Sequence, residues 1–157
     1  MNGPHVYKDE DNAILNSIKP FVESNSLSDS SAEKVIALDC EMSYTLDGMS
    51  VTRVTVVNLD ELVILDVLVV PDSPVLDVNT RWSGVTWSDL GLNDPTKEGS
   101  NTTGESNTSG GSTTSKLKRV NFEECRKLVL DIMSQDTILI GHGLENDLRS
   151  LRVCCFL

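Results

Sequence analysis

The chain has 157 residues, of which 24 are acidic and 13 basic, so its formal charge at pH 7 is −11. This length is enough for one domain with a sizeable core. The acidic balance excludes a broad basic surface for nucleic acid. It does not exclude an enzyme that acts on nucleic acid, because bound Mg²⁺ can supply positive charge where a phosphate sits.

Two further features bear on where the protein works. The longest apolar stretch, residues 62–70, is interrupted by Asp66 and is too short to cross a bilayer, so we expect no membrane partner. The four cysteines form no CxxC motif, and the first residues lack the basic and apolar parts of a signal peptide. These observations predict an intracellular protein in a reducing compartment.

The first half of the chain predicts a polar leader followed by three strands. Residues 1–33 are rich in Ser, Asn, Asp and Glu and are interpreted as a flexible leader. The folded core is expected to begin at Lys34. Strands are predicted at residues 35–40, at 51–58 after a turn at 46–48, and at 62–70, where Pro71 ends the apolar run.

The second half predicts an insertion and then a helix, a strand and a second helix. Residues 93–115 contain no aliphatic or aromatic side chain, which is typical of a disordered insertion. Asn121 is a predicted N-cap, with Glu124 three residues later, for a helix with apolar residues up to Ile132. A strand at 137–140 and a helix at 144–153 follow. This order predicts an α/β fold in which the fourth strand lies parallel to the first.

Three carboxylates are expected to meet within this fold. Asp39 and Glu41 are two residues apart at the end of the first strand, and side chains at i and i+2 of a strand point to the same face. Asp147 lies just inside the helix that follows the fourth strand. Three carboxylates brought together in this way could hold divalent metal for phosphodiester chemistry.

Four sequence blocks are spread over residues 34–153, apart from the insertion. In chain order they are Ala37-Leu38-Asp39-Cys40-Glu41-Met42, residues 52–58, residues 77–86 and Gly141-His142-Gly143-Leu144-Glu145-Asn146-Asp147-Leu148. With these blocks the chain resembles the DEDDh branch of the DnaQ-like 3′-to-5′ exonucleases, and within it the eukaryotic RNA exonucleases that trim the 3′ ends of structured RNAs. The resemblance implies a ribonuclease H-like mixed sheet flanked by helices.

The resemblance also implies the chemistry and the site. Asp39, Glu41 and Asp147 correspond to catalytic carboxylates that bind two Mg²⁺ or Mn²⁺ ions, about 3.5–4 Å apart in such sites. Met42 could pack under a terminal base or else fill the core, and Asn79 and Arg81, in the loop after the third strand, could contact sugar or phosphate. The expected partner is the 3′ end of RNA, with single-stranded DNA as an alternative, and the expected location is the nucleus or else the cytoplasm.

One part of the resemblance falls outside residues 1–157. The exonucleases carry a histidine and an aspartate on a later helix, and neither His5 nor His142 stands at that position. His142 is interpreted as a structural or substrate-adjacent residue. We therefore expect residues 34–157 to be a partial exonuclease domain, truncated before its last strand and helix. The alternative is a catalytically impaired protein that binds nucleic acid or a protein partner.

The insertion yields a first test. Replacing residues 93–115 by a short Gly-Ser link should change the free energy of unfolding little, because the entropy of closing a loop varies slowly with its length. Urea denaturation of the two proteins measures the difference. A loss of more than about 2 kcal/mol would show that the segment contributes to the folded structure.

Overall fold

The computed structural model describes residues 20–24, 32–97 and 116–154. The strands and helices in this part of the chain are numbered in order. A 3₁₀ turn at Pro95–Lys97 ends the second of these three ranges. The elements are β1 (Val22–Glu23), β2 (Val35–Thr45), β3 (Gly48–Asn58), β4 (Val63–Val69), β5 (Val75–Asp77), α1 (Thr80–Ser83), β6 (Lys118–Val120), α2 (Phe122–Ile132), β7 (Ile138–Ile140), α3 (Leu144–Leu151) and β8 (Val153–Cys154).

Six strands form one mixed sheet in the order β5-β2-β3-β4-β6, and β7 also pairs with β2. β2 and β3 are antiparallel, as are β3 and β4, whereas β6 runs parallel to β4. Residues 35–37 of β2 pair in parallel with residues 138–140 of β7. The predicted parallel pairing of the first and fourth core strands is therefore confirmed.

β2 extends five residues beyond the predicted end at Cys40 because its polar positions are satisfied inside the sheet. Ser43 is fully buried, and its hydroxyl lies at hydrogen-bond distance, 3.0 Å, from Oγ1 of Thr52. The hydroxyl of Thr45 donates to the carbonyl of Gly48 at 2.8 Å across the hairpin turn. A buried hydroxyl that has partners adds little cost, so the strand continues through residues whose pattern does not predict it.

β4 is apolar on both faces apart from Asp66, and each face of the sheet is covered at the end of this strand, where Val67, Leu68 and Val69 are buried. The main core, which includes Val67 and Val69, lies between the sheet and helices α2 and α3. A smaller cluster on the segment after β5 joins Leu68 to Val78 and Val85. No helix within the described residues has the length and apolar character needed to span a membrane.

Part of the predicted leader is attached to the domain. β1 pairs in parallel with β8, and the amide of Val22 donates to the carbonyl of Arg152 at 2.9 Å. The guanidinium of Arg126 donates to the carbonyl of Pro20 at 2.7 Å. The sequence analysis did not predict this pairing. Residues 1–19 and 25–31 of the leader, and residues 98–115 of the insertion, lie outside the described residues.

The predicted start of the long helix is confirmed. Asn121 precedes α2 in an extended conformation, and its side-chain oxygen accepts from the amide of Glu124 at 2.8 Å.

Replacing Asn121 with Ala should lower the free energy of unfolding by about 1 kcal/mol, because the Glu124 amide loses its acceptor. Urea denaturation measures the loss, and Asn121→Asp, which keeps an acceptor, serves as control. Equal losses in both variants would contradict the cap.

Candidate active site

The site lies at the middle of β2, on the edge of this strand that faces away from β3. Neither β5 nor β7, which pair with the two ends of that edge, reaches this part of β2. β7 pairs with residues 35–37 of β2, and β5 pairs only with Tyr44 and Thr45, so among the described strands none pairs with the segment between them on that side. The amide of Cys40 in this gap donates to Oδ1 of Asp147 at 3.0 Å. Helix α3 thus brings its carboxylate to the strand that carries Asp39 and Glu41.

Asp147 is only 5% exposed, and its charge is costly there. Burial raises the pKa of the Asp147 carboxyl, and the nearby Asp39 raises it further, while the hydrogen bond from the Cys40 amide opposes the shift. The carboxylate thus lies in a position where a positive charge would stabilise it.

Glu41 is half-buried, and the pKa of its carboxyl is also affected by Asp39 and Asp147. Burial raises the pKa of its carboxyl, followed by the charge of Asp39, whereas the Arg53 guanidinium lowers it and Asp147 raises it slightly. The charge of Asp39 thus adds to the effect of burial on the pKa of both Glu41 and Asp147.

The donor set suits a hard divalent cation, because carboxylate oxygens are the ligands that Mg²⁺ and Mn²⁺ prefer. Beside the two carboxylates of β2 is an open cavity of about 380 Å³, lined by Asp39, Glu41, Arg53, Thr55 and His142 among others. In the described part of the chain, however, no three His, Cys, Asp or Glu side chains are already grouped as metal ligands. The metal-binding role of Asp39, Glu41 and Asp147 therefore stays a prediction.

Cys40 lies between the two strand carboxylates in sequence but faces the opposite side of the sheet. Its side chain packs against the main core, and burial raises the pKa of its thiol far above the usual range, with Asp147 adding to the shift. A thiol that stays protonated is a poor nucleophile. The Cys40 thiol is therefore assigned a packing role in the core.

The three predicted substrate-binding residues lie in two places. Met42 follows Glu41 on β2, and its sulfur accepts from the hydroxyl of Ser150 on α3 at 3.4 Å. Asn79 and Arg81 belong to the segment around α1, which is tied to β2 because the Ser43 hydroxyl donates to the Val78 carbonyl at 3.1 Å. Substrate contact by these residues stays a prediction.

The segment around α1 has two features that suit a contact surface. Asn79 has a left-handed backbone with a φ of 55°, which is uncommon for a residue other than glycine. The Arg81 guanidinium lies 5.3 Å from the centre of the Trp82 ring, and this tryptophan is 74% exposed. A planar cation and an exposed ring are both able to contact nucleotides.

Sequence reasoning missed the reason for the glycine after β7. A Cβ on Gly141 would lie 2.9 Å from the carbonyl oxygen of Leu38 and 2.8 Å from a methyl group of Leu144. The close approach lets the loop from β7 to α3 pass against β2 directly before Asp39. The signal available in the sequence was a glycine immediately after an apolar predicted strand.

Comparison with solved structures identifies the fold. The Neurospora crassa Pan2 catalytic unit, containing protease and nuclease domains, matches 85% of this chain and 20% of its own with a TM-score of 0.59 at 21% identity. A Saccharomyces cerevisiae Pan2 pseudoubiquitin hydrolase-RNA exonuclease module in complex with AACCAA RNA matches 88% of this chain and 23% of its own, with a TM-score of 0.59 at 16% identity. The chain therefore has the ribonuclease H-like α/β fold of exonuclease domains, as predicted.

Comparison with curated proteins is more specific. The human RNA exonuclease 1 homolog is 38% identical over 149 residues, which are 95% of this chain and 10% of that protein. RNA exonuclease 3 of Yarrowia lipolytica is 40% identical over 119 residues, 76% of this chain and 14% of that protein. No profile of a known protein family matches. This chain is a homologue of the RNA exonucleases, which confirms the predicted resemblance, and it spans less than a fifth of the length of these two relatives.

The close approach at Gly141 can be tested. Gly141→Ala should lower the free energy of unfolding by about 1–3 kcal/mol, because the new Cβ meets a backbone oxygen that cannot move without displacing β2. Urea denaturation measures the change. Gly48→Ala is a poor control, because Gly48 has a φ of 110° and any side chain there would strain the backbone. The control is therefore Ser88→Ala, in an exposed turn. An unchanged stability in Gly141→Ala would contradict the packing described.

The burial of Asp147 predicts a pH dependence. Its pKa is higher in the folded state than in the unfolded chain, so the folded state holds the proton more tightly and stability falls as pH rises through the two values. Asp147→Asn keeps an acceptor for the Cys40 amide without the charge. This variant should therefore unfold at a higher urea concentration than the wild type at pH 7. The difference between the two urea midpoints should be smaller at about pH 3.

The matched control for this measurement is Asp60→Asn, which removes an exposed carboxylate in the turn after β3. It should change the urea midpoint little at either pH. If Asp147→Asn were less stable than the wild type at pH 7, the buried carboxylate would be a net stabilising group and the argument from burial would be wrong.

Proposed function

We propose that this chain is the core of a 3′-to-5′ exoribonuclease domain, which hydrolyses phosphodiesters at RNA 3′ ends with the help of two divalent metal ions. The observation that carries the proposal is the meeting of Asp147 with the strand that bears Asp39 and Glu41. Relatives named RNA exonucleases share this segment, and one fold relative was solved in complex with RNA.

In this mechanism Asp39, Glu41 and Asp147 would hold Mg²⁺ or Mn²⁺. Bound ions would supply a lowered pKa for the attacking water and stabilisation of the leaving 3′ oxygen. The protein's own part is to position the carboxylates. Burial raises the pKa of Glu41 and Asp147, so a bound cation would stabilise their charged forms.

The substrate is proposed to enter over the segment around α1. Met42 would support the terminal base, while Asn79 and Arg81 would contact the sugar or phosphate of the last nucleotide. The exposed Trp82 beside Arg81 adds a surface on which a base can stack. RNA is the proposed substrate because the relatives are named for it, and single-stranded DNA is the alternative that the assay includes.

The proposed location is inside the cell, in the nucleus or else the cytoplasm. All cysteines in the described ranges, Cys40, Cys125 and Cys154, are free thiols. Free thiols of this kind are typical of reducing compartments.

The alternative function is binding of RNA or a protein partner without turnover. It is favoured by one observation, that the described residues include no ready group of three metal ligands. The two functions differ in a simple measurement, since only the first predicts loss of 3′ nucleotides in the presence of metal.

The test is a time course on 3′-labelled RNA and single-stranded DNA with and without Mn²⁺. The polypeptide of residues 1–157 should release nucleotides slowly, because a general base is worth about 10²–10⁴ in rate and no histidine follows His142 in it. Fusing to it the segment that follows the matched region in the human relative should raise the rate by about that factor.

Asp39→Ala should abolish the metal-dependent activity of the fusion, and Asp60→Ala, which removes an exposed carboxylate outside the site, should leave it unchanged. RNA binding without any release of nucleotides from the fusion would reject the enzyme and favour the binding protein. Equal activity of the wild type and Asp39→Ala would reject the proposed site.

A further inference from the structure

Arg53 and Glu41 stand directly opposite each other on β3 and β2. Side chains at directly opposed positions of antiparallel strands lie on the same face with their Cβ atoms about 4.5–5.5 Å apart, and opposite charges there usually attract. An ion pair between Arg53 and Glu41 would be the expected arrangement.

The structure has a different pair. The Arg53 guanidinium donates from Nε to Oδ1 of Asp66 at 2.8 Å and from a terminal nitrogen to Oδ2 at 2.7 Å. This two-point geometry holds the planar guanidinium in one orientation. The hydroxyl of Thr55 approaches the same Asp66 carboxylate at 3.4 Å. Among the described residues, no cation lies within 4 Å of the Glu41 carboxylate to form an ion pair.

The Arg53 guanidinium therefore pairs with Asp66, although Glu41 could also bind it. Both ends of the Arg53–Asp66 pair are largely shielded from solvent, with side chains 26% and 20% exposed, so the pair is more persistent than a surface ion pair. Arg53 and Glu41 line the same cavity together with Asp39. If the guanidinium turned to Glu41, it would occupy an oxygen that faces this cavity.

We propose that Asp66 is a positioning residue that holds Arg53 away from Glu41, so that the Glu41 carboxylate stays available for a divalent cation. The first part, the choice of partner by Arg53, stands on the contacts alone. The second part rests on the proposed function, because it names what Glu41 then binds. Each part has its own measurement.

The choice of partner is tested by urea denaturation in the presence of EDTA. Glu41→Gln, Arg53→Met and the double variant are compared in the wild type and in Asp66→Asn. In the wild type the shifts in urea midpoint should show only a small interaction, which comes from the charge of Arg53 acting on Glu41 without an ion pair. In Asp66→Asn the freed Arg53 should pair with Glu41, so the double variant should lose much less than the sum of its single changes.

The consequence is tested by calorimetric titration of the full chain with Mn²⁺. Asp66→Asn should weaken Mn²⁺ binding by about tenfold, the range seen when groups that orient metal ligands are removed. Adding Arg53→Met to Asp66→Asn should restore the affinity, because the competing cation is gone. Arg53→Lys, whose single ammonium cannot form the two-point pair, should weaken binding as Asp66→Asn does, and it carries the test if Asp66→Asn does not fold.

The matched control is Glu124→Gln, which breaks the exposed pair of Lys118 and Glu124, at 2.7 Å, away from the cavity. It should leave the Mn²⁺ affinity unchanged. Additive shifts in the Asp66→Asn background would overturn the proposal, and so would a loss of affinity that Arg53→Met fails to restore. A wild type that binds no Mn²⁺ would instead overturn the proposed metal site, while the urea experiment still decides the partner of Arg53.

Discussion

The hydrogen bond from the Cys40 amide to Asp147 joins two parts of the chain that are 107 residues apart, and the candidate site depends on it. The bond is possible because β7 and β5 leave the middle of β2 unpaired on one side. A strand with an open amide needs an acceptor, and a buried carboxylate needs a donor. The two requirements are met by one contact, which places the carboxylate of α3 against the strand that carries Asp39 and Glu41.

This arrangement brings negative charges together at an energetic cost. Burial and the charge of Asp39 raise the pKa of Glu41 and Asp147, and the nearby Arg53 guanidinium is bound by Asp66. A fold selected only for stability would gain from neutral side chains at these positions. The cost is the expected property of a site that gains its stability when a cation binds.

The sheet supplies the rigidity that such a site requires. β2 carries two of the three carboxylates, and it is paired along its whole length with β3, apart from one irregularity between Glu41 and Met42. The buried hydroxyl of Ser43 connects it to both β3 and the segment that carries Asn79 and Arg81. The elements proposed to bind metal and RNA are thus joined through one strand.

The sequence by itself determined the features that depend on neighbours along the chain. The two-residue repeat of a strand put Asp39 and Glu41 on one face, Asn121 predicted the start of α2, and the order of motifs predicted the α/β fold. The tertiary structure alone decided the contacts between distant segments: the pairing of β1 with β8, the approach of Gly141 to β2, and the choice of Asp66 rather than Glu41 by Arg53. Local patterns report backbone periodicity, whereas the partner of a buried charge or amide is selected only when the chain has folded and competing groups meet.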